Sequence, residues 1–89
     1  MSLKLLLTID LNSVSEMQRN NFYDYLKSRN LIKTNLTTTW KASWNTQIAY
    51  ETAVNVIKDI LQSAATYAGV KNYEANFMIS ENEIVSIRK

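Results

Sequence analysis

Apolar residues recur at every second position in some stretches of this chain and at helical spacing in others. Leu5, Leu7, Ile9 and Leu11 alternate with Lys4, Leu6, Thr8 and Asp10, within the most apolar run of the sequence (residues 3–12). One face of such a strand is wholly apolar and the other mixed, the pattern of a central strand in a sheet covered by helices on one side. Two overlapping capping-box patterns follow, Ser13 with Glu16 and Ser15 with Gln18, and predict a helix running to about Asn30. Its inner stripe is expected to hold Phe22, Tyr25, Leu26 and Met17, with Arg19, Asn20, Asp24 and Lys27 in water and Tyr23 off the stripe.

Further along, Leu36, Thr38, Trp40, Ala42 and Trp44 alternate with Thr37, Thr39, Lys41 and Ser43, a strand rich in β-branched and aromatic residues. With a short strand at 31–33 and a turn at Thr34-Asn35, the region reads as a hairpin; a single long strand is the alternative. Tyr50, Ala53, Val54, Ile57, Leu61, Ala64 and Ala68 then mark a second helix, capped by Asn45 or Thr46 and stopped by Gly69, the only glycine. Over 46–68 it would be about 35 Å long at 1.5 Å per residue, long enough for one end to overhang the sheet or meet another subunit. Tyr73, Ala75, Phe77 and Ile79 alternate with Glu74, Asn76 and Met78 in a further strand. A polar turn at 80–83 leads to a last short strand at 84–87.

This order predicts an α+β domain over residues 1–89: a ferredoxin-like βαββαβ fold with an extra C-terminal strand and two helices on one face of an antiparallel sheet. The Leu5, Trp40 and Phe77 sides meet the helices. The open face would show Lys4, Leu6, Thr8, Asp10, Thr37, Thr39, Lys41, Glu74, Asn76 and Met78. That surface lacks the aromatic residues on which an RNA-recognition-motif sheet stacks bases. Trp40 and Trp44 belong to the core side, Trp44 being the more exposed at the strand end.

Composition narrows the chemistry. The 89 residues carry 46% hydrophobic and 20% charged side chains, in the globular range. No apolar run reaches membrane-spanning length and no signal-peptide pattern precedes the first strand, so the expectation is a cytoplasmic protein. Without cysteine or histidine, disulfides, thiol catalysis, zinc fingers and Ser–His–Asp triads are excluded. Hydrolytic chemistry would fall to carboxylates, a hard metal ion, lysine or hydroxyls. A net charge of +2 permits a nucleic-acid partner without demanding one.

The strand Leu-Leu-Thr-Ile-Asp-Leu-Asn, a short helix, and then Leu-Thr-Thr-Thr-Trp resemble the small ferredoxin-like CRISPR-associated endonuclease family, with its GhoS-type antitoxin ribonuclease and SinR-like relatives. The likeness covers about the first half of the chain, and Ile9 stands where the family usually has an aromatic. The resemblance implies a homodimer with paired sheets and metal-dependent phosphodiester cleavage at the aspartate closing the first strand, here Asp10. Two Asp10 carboxylates across a two-fold axis could share one Mg²⁺, which polarises a phosphate and activates water. Lys4 and Lys41, on the same face, would contact phosphates of RNA or DNA. Alternatively, Asp10 only begins the turn into the first helix. Two other functions stay open: a non-catalytic module that binds or inhibits another protein, and a small-molecule-binding regulatory domain. The 84–87 strand would close its own sheet or add to a partner's edge.

Overall fold

A computed structural model describes residues 3–34, 38–44 and 47–82. Its first strand, β1 (Lys4–Leu11), puts Leu5, Leu7 and Ile9 into the core and leaves Leu6, Thr8 and Asp10 exposed. The alternation of the sequence is therefore realised residue by residue. Helix α1 (Glu16–Ser28) starts at the second of the two capping boxes: Gln18 N–H donates to Ser15 Oγ at 3.1 Å, and Ser15 N–H donates to Gln18 Oε1 at 2.9 Å. It ends with Asn30 in the left-handed region (φ 69°), a position asparagine tolerates better than most residues. Leu31 N–H then returns to Leu26 O at 3.1 Å.

Two residues of α1 depart from the expected stripe. Phe22 and Leu26 are completely buried, but Met17 is 73% exposed. At about 100° per residue Met17 lies roughly 140° round the helix from Phe22, on the outer side. Tyr23 and Tyr25 flank the buried pair. Tyr23 turns toward the sheet, its ring 5.2 Å from that of Trp40, while Tyr25 turns toward the second helix and meets Tyr67 at 5.7 Å. The expectation that Tyr23 stands free of the core is thus corrected: it packs against it.

The hairpin reading holds. The strands β2 (Ile32–Lys33) and β3 (Thr39–Ser43) pair antiparallel, with Ile32 opposite Lys41 and Lys33 opposite Trp40. Both the N–H and the hydroxyl of Thr34 donate to Thr39 O at 3.0 Å, closing the loop without a glycine. The expected strand positions Leu36 and Thr37 lie outside the described residues, as do the proposed caps Asn45 and Thr46. Helix α2 (Tyr50–Ala68) begins at Tyr50 instead of residue 46, with Ala49 as an N-cap that makes no side-chain hydrogen bond. Tyr50, expected inside, is 59% exposed in that first turn. Nineteen residues span about 28 Å, close to the roughly 27 Å of an eight-residue strand, so α2 matches β1 and needs no overhang. Gly69 takes the left-handed cap at φ 73°.

The last described strand, β4 (Tyr73–Ser80), pairs with β1 along its whole length. The sheet order is β2-β3-β1-β4 with every neighbouring pair antiparallel. Two helices packed against each other cover one face, and the fold is α+β with the ferredoxin-like order of elements. The extra strand expected at 84–87 lies outside the described residues. Leu5, Leu7, Phe22, Leu26, Trp40, Ala53, Ile57 and Ala64 form the centre of the core. Each of its large side chains contributes roughly 1.5–3 kcal/mol by leaving water.

Candidate functional site

The uncovered sheet face is where polar side chains of several strands converge. Asp10 sits inside the β1 ladder, directly opposite Glu74 of β4, and Thr8 is opposite Asn76. The Thr8 hydroxyl donates to Asn76 O at 3.4 Å, and Ile9 N–H donates to Thr38 O at 2.9 Å, drawing Thr38 to the same rim. Thr8, Asp10, Thr38, Glu74 and Asn76 line a shallow cavity of about 190 Å³. The turn into α1 belongs to Ser13 (φ 54°) and the Ser15 cap, not to Asp10.

Glu74 is the residue that reading the sequence missed. Alternation placed it on the open face, but its pairing with Asp10 follows only from the register. The signal was available: matching Leu5 to Ile79 and Leu7 to Phe77 brings position 10 opposite position 74. Two carboxylates facing each other across an antiparallel pair repel. Their oxygens, with an amide and two hydroxyls nearby, form an all-oxygen donor set of the kind hard cations use. Among the described residues no three His, Cys, Asp or Glu side chains gather closely enough to hold a metal by themselves. Water or phosphate oxygens would have to complete the coordination of Mg²⁺, as that ion ordinarily allows.

The lysines are on the same face but not beside Asp10. Lys4 is opposite Ser43 and Ser80, and Lys41 is opposite Leu6. Six residues along β1 from Asp10 to Lys4 is about 20 Å at ~3.4 Å per residue. A single phosphate cannot touch both, whereas a polymer lying along β1 can. Between the charged ends runs a row of Ile32, Lys41, Leu6 and Met78 crossing all four strands. Its apolar members are exposed: Leu6 by 40%, Ile32 by 57% and Met78 by 69%. No aromatic side chain lies among the described residues of this face.

These features define the protein as a small α+β domain with an open, charge-polarised sheet face. Comparison with solved structures extends the fold assignment. The crystal structure of protein SP2199 from Streptococcus pneumoniae is similar to this chain with a TM-score of 0.57 and 21% sequence identity, over 98% of this chain and 93% of that one. At that identity the likeness concerns the fold. No family model matches the chain, and no curated protein does. No helix among the described residues is long and apolar enough to cross a membrane.

Proposed function

We propose that this is a small cytoplasmic homodimer that binds the backbone of RNA or DNA on its open sheet face and, with Mg²⁺, acts as a nuclease-like protein. The observation that carries the reading is the Asp10–Glu74 pair with Thr8, Thr38 and Asn76 around one cavity on that face. Two adjacent carboxylates repel a phosphate unless a cation lies between them. The reading therefore makes a divalent ion obligatory for contact at this end, with Lys41 and Lys4 holding the strand further along β1 as point charges. When bound, the ion would polarise a phosphoryl oxygen and lower the pKa of a coordinated water. Asp10 and Glu74 would hold it, while the Thr8 hydroxyl and the Asn76 amide would bond to its waters. The exposed row of Leu6, Ile32 and Met78 lies between those charged ends, where a strand along β1 would cross it.

The test incubates the protein with labelled single- and double-stranded RNA and DNA, with Mg²⁺ or EDTA. Metal-dependent cleavage should fall at least about tenfold in Asp10→Asn and in Glu74→Gln. Cleavage that survives in both variants, or binding indifferent to both EDTA and salt, refutes the reading. The same row of exposed apolar residues favours a second reading, a non-catalytic module docking another protein. Stoichiometric capture of one protein, lost on Met78→Asp and accompanied by no nucleic acid, would favour it.

A further inference from the structure

A second group of side chains lies on the helical layer, away from the sheet face. Tyr25 and Arg29 are one turn apart on α1, and Asp59, Ser63 and Tyr67 are successive one-turn steps on α2. The two ladders face each other. The Tyr25 and Tyr67 rings lie 5.7 Å apart at 40°. The Arg29 guanidinium lies 5.2 Å from the Tyr25 ring centroid and donates from Nη2 to the Tyr25 hydroxyl at 3.2 Å. Arg29, and to a lesser degree the neighbouring Ser63 hydroxyl, hold the phenol below its ordinary pKa. Two shallow, open depressions of the surface meet at Ser63 and Asp59. One of about 560 Å³ reaches to Tyr67, and one of about 340 Å³ reaches to Tyr25 and Arg29.

The Tyr25–Tyr67 ring contact would be enough to clasp α1 to α2, but the clasp leaves much unused. Tyr67 is 63% exposed although its ring touches that of Tyr25. Among the described residues the partners of the guanidinium are the Tyr25 ring and hydroxyl, so most of its N–H donors remain available for a phosphate. Asp59, which lines both depressions, can only accept hydrogen bonds when ionised. A ligand suited to this groove therefore has a flat ring for Tyr67, paired N–H donors for Asp59 and an anionic end for Arg29.

We propose that this groove binds a guanine nucleotide, the base stacked on Tyr67 with its N1–H and exocyclic amino donors on Asp59, and the phosphate on Arg29. Guanine offers two adjacent donors to one carboxylate where adenine offers one, so GMP binds more tightly than AMP. The nucleotide is either free or part of a single strand. The proposal stands apart from the sheet-face reading, because its residues are on the other layer and need no metal.

The test is NMR titration of the full chain with GMP, AMP, guanosine, inorganic phosphate and a short G-containing single-stranded oligonucleotide, all in EDTA. GMP should saturate and shift the amides of residues 25, 29, 59, 63 and 67. Tyr67→Ala should weaken it at least about fivefold, the low end of what losing one base–aromatic stack costs, and Tyr67→Phe should retain it. Arg29→Ala should bring GMP to the level of guanosine, and Asp59→Asn should abolish the preference over AMP. Tighter binding of the oligonucleotide than of GMP assigns the site to a strand; the reverse assigns it to a free nucleotide. Absence of saturation by either, phosphate binding as well as GMP, shifts confined to the sheet face, or indifference to Tyr67→Ala each overturns the proposal. Near-identical spectra of wild type and Tyr67→Ala without ligand establish that the variant is folded.

Discussion

Gly69 offers the sharpest test of how the two helices are joined. It caps α2 at φ 73° and ψ 26°, and Val70 N–H reaches back to Ala65 O at 2.9 Å, closing the helix end. Its carbonyl accepts a 2.9 Å hydrogen bond from Gln18 Nε2, the residue whose other amide atom completes the α1 capping box. One glutamine thus ties the start of α1 to the end of α2. A Cβ placed on residue 69 would meet only Gln18 Nε2 at 3.6 Å, an ordinary contact. The cost of Gly69→Ala is therefore backbone strain, about 1–2 kcal/mol for a left-handed L-residue. It is offset by roughly 0.4–1 kcal/mol from the stiffer unfolded chain. The net loss is about 1 kcal/mol, or roughly 4–8 °C in Tm for a domain of this size. Urea unfolding followed by tryptophan fluorescence measures it. Gly69→Asn should lose clearly less, because asparagine tolerates this conformation. Gln18→Ala alone should cost about 1–2 kcal/mol for its two exposed hydrogen bonds. The reasoning fails if Gln18→Ala rescues Gly69→Ala, since rescue would mean a clash with Gln18, or if Gly69→Asn is as damaging as Gly69→Ala.

Other substitutions separate buried from merely apolar positions. Phe22→Ala should cost about 3–5 kcal/mol and Met17→Ala less than about 0.5; comparable losses in urea would contradict the helix orientation. Trp40 is fully buried, and its Nε1–H meets no acceptor among the described residues. Trp40→Phe removes that unpaired donor, itself a cost of roughly 1–3 kcal/mol, and should lose well under the 3–5 kcal/mol expected of Trp40→Ala. Equal losses in the two variants would argue that the indole N–H is satisfied. Tyr25 should ionise below the ordinary phenol range in an alkaline titration at 295 nm, and Arg29→Ala should move its transition upward, since the guanidinium is the main cause of the shift. The stabilisation linked to this depressed pKa is fully present above pH 10 and is lost as pH falls through the folded-state value. At a partly exposed site it is small.

Strand positions were legible because period-two alternation needs no partner: Leu5, Leu7 and Ile9, and then Ile79, go inside whatever lies beside them. The helix faces were less so, because flank residues such as Tyr23 are assigned by neighbours, here the Trp40 ring, rather than by spacing. The start of α2 could not be read from cap chemistry either. Ile48 is partly buried against the core just before a cap whose side chain makes no hydrogen bond. Gln18 was visible as half of a capping box, but its bond to Gly69, fifty-one residues away, was not. The Tyr25–Tyr67 contact was hidden for the same reason: it depends on how α1 and α2 are rotated against each other.

The candidate site shows the same limit with a larger consequence. Alone, Asp10 is an exposed carboxylate at the end of a strand. Opposite Glu74, it is half of a like-charge pair, which costs the fold roughly 0.2–1 kcal/mol in the absence of a cation. Function and stability then make linked predictions. Glu74→Gln relieves the repulsion, so in EDTA its Tm should lie one to a few degrees above wild type, at ~4–8 °C per kcal/mol. Mg²⁺ should reverse the order. A cation that binds only the folded pair adds about 1.4 kcal/mol at ten times its Kd, raising the wild-type Tm by several degrees and leaving Glu74→Gln nearly unmoved. Asp10→Asn should behave like Glu74→Gln in both conditions, because either substitution leaves one carboxylate. Thermal unfolding of the three proteins with MgCl₂ and with EDTA reads all of this without any nucleic acid. A wild type that ignores Mg²⁺ over the millimolar range would leave two repelling carboxylates with no cation to reconcile them to a phosphate, and the metal-dependent reading of this face would fall with it.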